Sequence, residues 1–409
     1  MRRVMVDRLN GHRTMMRGTA AAAAVLAALA VPAVMERSAR AADRTGAPAD
    51  RTAGAADGAH RGLRITRFLG ERRLPHLMKF QGTTVGGLSG IDRDPRTGDW
   101  YMISDDRWRY DPARFYTGRV DIDPRTGRFG GVRISGVSTL TGPDGGPYPG
   151  FGKPRSVDPE SIRYDPGRRR VLWGNEGDRP DETHRVPLAP LTVQWAGRDG
   201  RYRGLLPLPA DLRLTTGHHG PRRNFGMEAL AIAPHTIAGM IEGPRYEDGP
   251  LPTVQHGAAT RLTLWSPRGK VRAQYAYQVD RLPAAPVPAG GVADSGVSEI
   301  LAIDDHRYLA LERSWLQGVG YKVKLYEFDV RGATNVLARG SLAQGGGYRP
   351  VRKHLVADLG RYASPTQNLE GMGWGPELRS GERTLVVCSD DNFDAQEVTE
   401  FLAFAVRGR

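Results

Sequence analysis

The chain of 409 residues has one cysteine, Cys388, so an internal disulfide is excluded and stability has to come from packing or from a bound ion. Lysine is scarce: six of the 58 basic residues are Lys, an arginine bias of the kind a GC-rich bacterial genome produces. Basic runs interleaved with aromatics are missing, which argues against a nucleic-acid partner. Long apolar runs are missing too, apart from "GTAAAAAVLAALAVPAV" near the start, which is too short and too Ala-rich for a membrane span. Arg13 and Arg17 precede it, and Ala39-Arg40-Ala41 follows with the small-x-small pattern of a signal-peptidase site. Residues 1–41 therefore read as a secretory signal, with an uncleaved anchor as the alternative. Residues 42–61 are Ala/Gly/Asp/Arg low complexity and read as a flexible leader. The domain proper is expected over 62–409, secreted, monomeric and free of the membrane once the signal is cut.

The formal charge of +13 is partly a property of this leader. Residues 1–41 carry seven Arg against two acids, so their removal leaves about +8, which still suits an anionic small-molecule substrate.

What the sequence does have is a repeat of about seventy residues. Five segments share one form: "GLSGIDRDPRTGDWYMISDD", "PESIRYDPGRRRVLWGNEGD", "MEALAIAPHTIAGMIEGP", "SEILAIDDHRYLALERS" and "LEGMGWGPELRSGERTLVVCSDD". Each is an apolar strand, a turn rich in Asp, Pro or Gly, and a second apolar strand. The first strand opens on Ser89, Glu160, Glu228, Glu299 or Glu370, spaced by 71, 68, 71 and 71 residues. The second ends on Asp105, Glu176, Glu242, Glu312 or Asp390. More polar hairpins such as "RVDIDPRTGRFGGVRI" and "YKVKLYEFDVRGATNVLARGSL" lie between the copies. Four antiparallel strands per period make a propeller blade.

The expected fold is all-β, a five-bladed β-propeller, with six blades left open if a long connection holds a degenerate blade. The fifth copy is followed by one strand only, "EVTEFLAFAVR", and "GLRITRFLGERRL" (62–74) is expected to complete that blade.

In a propeller both ends of the inner hairpin reach one mouth of the channel. Ser89, Glu160, Glu228, Glu299 and Glu370 are thereby expected to form a ring of metal ligands. Asp105, Glu176, Glu242, Glu312 and Asp390 form an outer, catalytic tier. Carboxylates at close range raise one another's pKa and are costly unpaired, and a divalent cation resolves the conflict. Calcium takes six to eight oxygens in irregular geometry, which suits Glu and Ser; zinc would want His or Cys. For any single acid, pairing with an Arg of the next blade is an equally open reading. Loops entering the inner strands offer Arg155, His218, His219, Arg222, Arg223 and Asn224 for anionic oxygens, with Arg179 and Arg313 behind the outer tier.

The segments "GGLSGIDRDPRTGDWYMISDD", "DPESIRYD", "MEALAI", "SEILAID" and "NLEGMGW" resemble the bacterial phytase-like family, "esterase-like activity of phytase". That resemblance implies an exported hydrolase. More distantly the chain is similar to secreted calcium-activated apyrases, five-bladed propellers whose central calcium is held by Ser and Glu at the starts of the inner strands. "EGMGW" looks like their last such motif, which implies a ligand role for Glu370, and the same matching implies one for Ser89, Glu160 and Glu228. Their fourth position is Ser, and the choice here lies between Ser298 and Glu299. The acidic clusters of the six-bladed propeller phytases have no match, so phytate specificity does not carry over. The resulting expectation is calcium-dependent hydrolysis of phosphoric esters, with a non-catalytic ligand- or cell-wall-binding propeller as the alternative. No Gly-x-Ser-x-Gly elbow or Ser-His-Asp order supports a serine esterase.

Overall fold

The pentapeptide Asp-Pro-Arg-Thr-Gly occurs at 94–98 and again at 123–127, and each copy closes a hairpin the same way. The Asp carboxylate accepts the N–H two residues on (Arg96, Arg125), while Gly98 and Gly127 take φ values of +78° and +74° that suit glycine. Such turns let one short apolar strand return beside the last.

The computed structural model describes residues 62–181, 184–343 and 346–408; the expected signal and leader (1–61) lie outside them. After β1 (Arg64–Arg73) and a small hairpin of β2 (Met78–Phe80) and β3 (Thr83–Val85), four blades follow in chain order. The first is β4 (Leu88–Arg93), β5 (Trp100–Ser104), β6 (Arg114–Ile122) and β7 (Phe129–Thr139). The second is β8 (Pro159–Asp165), β9 (Arg170–Asn175), β10 (Thr192–Gly197) and β11 (Tyr202–Leu206). The third is β12 (Met227–Ile232), β13 (Ile237–Ile241), β14 (Ala258–Trp265) and β15 (Val271–Val279). The fourth is β16 (Ala293–Ala302), β17 (Arg307–Leu316), β18 (Gly320–Asp329) and β19 (Arg352–Asp358). The fifth is β20 (Asn368–Trp374), β21 (Arg383–Asp390) and β22 (Glu400–Arg407), with β1 paired antiparallel to β22 as its outer strand.

The inner strands touch in a closed cycle, β4 to β8 to β12 to β16 to β20 and back to β4. Apolar cores fill the five spaces between neighbouring sheets. Tyr101 and Phe115 pack on Tyr164 and Trp173 between blades 1 and 2, Trp195 and Trp265 lie between blades 2 and 3, and Leu311 and Phe404 between blades 4 and 5. The others are Tyr277 with Phe328 and Trp100 with Phe401. Each fully buried apolar side chain of this size contributes roughly 1.5–3 kcal/mol, and this burial is what holds the blades face to face. The fold is a five-bladed all-β propeller.

One outer strand departs from expectation. The last strand of blade 4 is not within 334–342 but β19, because residues 330–343 and 346–351 fold back over the edge of blade 3. There Val336 and Val351 donate N–H to Gln274 and Ala276, and Arg261 donates to the carbonyls of Val336 and Arg339.

The axis of the ring is filled. Inner strands leave one edge unpaired, and its carbonyls turn inward. Arg163, buried on β8, donates to Ile91 O (2.6 Å), Ile162 O (3.0 Å), Leu230 O (2.6 Å), Ile300 O (2.7 Å) and Met372 O (3.1 Å), one carbonyl from each blade. A planar guanidinium directs its N–H groups outward in one plane, with Nη1 shared among the carbonyls of Ile91, Ile162 and Met372. Among the described residues no helix is long and apolar enough to cross a membrane.

Candidate functional site

Every inner strand carries a β-bulge. The register against the second strand slips between Leu88 and Gly90, Pro159 and Ser161, Met227 and Ala229, Val297 and Glu299, and Leu369 and Gly371. The extra residue is therefore Ser89, Glu160, Glu228, Ser298 and Glu370 in turn. A bulge re-aims the residue it inserts. The position following the partner on the second strand is Asp105, Glu176, Glu242, Arg313 and Asp390.

Blade 4 is thus one residue out of step with the sequence alignment of acids. Glu299, expected in the ring, sits on the opposite side of its bulge and turns down the axis. Its Oε2 lies 2.5 Å from Arg163, and its Oε1 accepts from the N–H groups of Leu230 and Ile300. Glu312, expected in the outer tier, points away between blades 3 and 4, where it accepts from Tyr277 Oη, Asp280 N and Lys353 Nζ. Alternation along a strand is strict, so moving by one residue exchanges the two faces. Arg313 takes the place in the mouth that Glu312 was expected to fill. It reaches Glu242 (2.7 Å), Glu370 (3.4 Å) and Asp294 (3.6 Å).

The mouth is a cavity of about 360 Å³ lined by Asp105, Asp158, Glu160, Glu176, Glu228, Asp294, Glu370 and Asp390, together with Arg107, Arg313, Asn224, Asn368, Asn392, Trp315 and Tyr321. Glu242 lies just beneath, fully buried. Ser89 sits beside Glu370, while Ser298 is buried and donates to Leu369 O. Ligand oxygens of Asp158, Glu160 and Glu176 come within 4.8 Å of one another.

Eight carboxyl groups face two guanidinium groups, and their protons respond. Burial first, and neighbouring carboxylates second, hold Asp105, Glu160, Glu228, Glu242 and Asp390 well above the usual carboxylate range. The same causes push Glu176 up to about 8, against the pull of the Gly226 N–H and of Arg107. Asp105 Oδ1 and Glu242 Oε2 are buried without a hydrogen-bond partner. Asp158 Oδ1 and Asp294 Oδ1 are unpaired as well, and a set of hard oxygens that cannot all ionise together, with four of them unpaired, fits a divalent cation of the calcium type.

Of the loop residues expected to bind substrate, Asn224 alone lines the cavity. Arg155 is spent on Asp144, and Arg223 on Asp181. His219 lies by Glu247, and His218 packs at a tilt against the Tyr246 ring. Arg222 and Arg179 both pack on the Tyr246 ring and donate to carbonyls of nearby loops. Arg107, which the repeat did not single out, does line the cavity. It bridges Asp158 (3.2 Å) and Asp178 (2.8 Å) against the Phe151 ring. Its place two residues after Asp105 was the available signal.

Solved structures show only distant likeness. An oxidoreductase described as a glucose dehydrogenase from Thermus thermophilus shares 13% identity over 78% of this chain and 83% of its own, with a TM-score of 0.33. A protein of unknown function from Dyadobacter fermentans DSM 18053 shares 7% over 85% and 100%, with a TM-score of 0.36. No curated protein matches the chain. The family model for phytase-like proteins, described as esterase-like activity of phytase, matches residues 83–393, a span that holds all five inner strands and the whole acidic mouth, and the chain belongs to that family.

Proposed function

We propose that this protein is an exported, calcium-dependent hydrolase of phosphoric esters that works at the acidic mouth of the propeller. Membership of a phytase-like family points to a hydrolase-like activity, and the expected signal over 1–41 points to export. The observation that carries the calcium dependence is the surplus of buried carboxyl groups around one axis, with Asp105 Oδ1 and Glu242 Oε2 unpaired. Ser89, Glu160, Glu228, Ser298 and Glu370 would hold the ion, the mixture of Ser and Glu that the resemblance to calcium-activated apyrases implies. Bound there, calcium supplies positive charge that polarises a phosphoryl oxygen and makes a negative pocket acceptable to an anionic ester.

The chain's own groups do the rest. Arg107 is the more exposed of the two lining cations, its side chain 29% exposed against 8% for Arg313, so it is the one placed to meet a phosphoryl oxygen and the charge developing on it. Asp105 Oδ1, free of hydrogen bonds in the lining of the mouth, accepts the proton of the attacking water. Asn224 and Asn392, from two different loops, offer neutral donors for the leaving group. Among the described lining residues there is no His or Cys, so a cysteine nucleophile or a histidine base for Ser89 has no group here to supply it.

The test is to strip the purified protein with a chelator, restore calcium, and follow phosphate release from a panel of phosphomonoesters and diesters. Calcium-dependent release from at least one ester is expected. No release from any of them, with or without the ion, overturns the proposal.

A further inference from the structure

A second group of carboxylates lies off the axis, between blades 2 and 3. Glu176 follows β9, Glu228 is the bulge residue of β12, and Glu242 follows β13. Their ligand oxygens all lie within 4.8 Å of one another, and all three side chains are buried. Glu242 is 0% exposed. Its Oε1 accepts from Arg313 Nη2 at 2.7 Å, while its Oε2 has no hydrogen-bond partner.

Arg313 is not enough to neutralise the group, because it is shared with Asp294 and Glu370. Leaving a carboxylate oxygen bare in the interior is expensive, and a chain has cheaper options such as Gln at the same place. The backbone is instead cut away to admit these acids. A Cβ at Gly226 would stand 2.5 Å from Glu176 Cγ, and one at Gly296 would come closer still to Glu242 Cγ. The Gly226 N–H also fixes Glu176 by donating to its Oε1 at 2.9 Å. Two oxygens are thus oriented by protein donors and the others are left facing each other, which is how a cation site is built from hard ligands.

We infer that Glu176, Glu228 and Glu242 form a second divalent-cation site of the calcium type, sharing Glu228 with the axial ring. The protein then holds two ions bridged by one glutamate, and the off-axis ion ties blade 2 to blade 3. This inference does not depend on whether the protein hydrolyses any ester.

Calcium per chain is counted by elemental analysis and by equilibrium dialysis of the purified protein, in the wild type and in Glu242→Gln, Glu370→Gln and Glu228→Gln, each checked for native circular dichroism. Two ions are expected in the wild type and one in Glu242→Gln, whose remaining ion keeps its affinity. Glu370→Gln loses the axial ion and keeps the other, and Glu228→Gln weakens both by at least about tenfold. Should Glu242→Gln not fold, Glu242→Asp serves, with one of the two affinities reduced by at least about tenfold. A wild type that binds one ion, lost in Glu370→Gln and retained in Glu242→Gln, overturns the second site and leaves the axial one standing. A wild type that binds none overturns both.

Discussion

Arg163 Nη2 and Glu299 Oε2 lie 2.5 Å apart on the propeller axis, and both side chains are buried. The pair closes a layer in which all five blades contribute a carbonyl to one guanidinium. Removing the cation strands both Glu299 and the carbonyls. Arg163→Met is therefore expected to cost about 3–5 kcal/mol of unfolding free energy, and Arg163→Lys nearly as much, since three donors on a flexible stem do not span five acceptors. Arg163→Met combined with Glu299→Gln recovers part of the loss. Urea denaturation measures all three, and an Arg163→Met protein as stable as wild type would disprove the role of the pin.

The frame of blade 4 separates two neighbours. Glu312→Gln leaves calcium affinity and turnover unchanged, and costs roughly 1–3 kcal/mol of stability through its Tyr277 and Lys353 partners. Arg313→Gln acts in the opposite sense. It leaves Glu242, Glu370 and Asp294 without their counter-charge, so pocket acids hold their protons more tightly and calcium binding shifts to higher pH. Calcium titration followed by calorimetry at several pH values distinguishes the two.

Arg107→Ala is expected to lower kcat/KM on a phosphate ester by roughly 30- to 100-fold, the loss of a charge-assisted contact. His218→Ala and His219→Ala, outside the cavity, stay within about twofold of wild type. Steady-state kinetics on whichever ester the chain cleaves settles the order. Equal losses at Arg107 and His219 would place the substrate over the loop and not in the mouth.

Glu400 on β22 provides a pH response remote from the site. Burial, with Glu71 beside it and Arg73 pulling the other way, pushes its carboxyl up to about 7. A raised folded-state value means that the protonated form stabilises the fold, in full below the unfolded value near 4.5 and less and less as pH climbs through 7. Glu400→Gln keeps the neutral shape at every pH. Its Tm should match wild type at about pH 4.5 and exceed it by about 2 °C or more at about pH 8. Equal melting curves at the higher pH would mean that Glu400 ionises without cost.

The repeat made the fold legible, because a hairpin with apolar strands and Asp-Pro-Gly turns recurs whatever its neighbours do. Four ring positions and four outer acids were legible for the same reason. Blade 4 misled because acids were aligned with acids. Which of two adjacent residues the bulge extrudes is decided by the register against β17, and the Ser at the fourth position of the apyrases was the one hint toward Ser298. Arg163 was invisible for a different reason. It lies in the second repeat only, and five of its six partners are backbone carbonyls, which carry no sequence signal. The loop arginines drew attention by density, but residues such as Arg222 and Arg179 are consumed in holding Tyr246 and the surrounding loops.

Arg163 also decides traffic. With its guanidinium stoppering the bore, the propeller is a cup and not a pipe. Whatever enters the acidic chamber has to back out through the same opening, so under the proposed hydrolysis a departing product and an arriving substrate would compete for a single doorway.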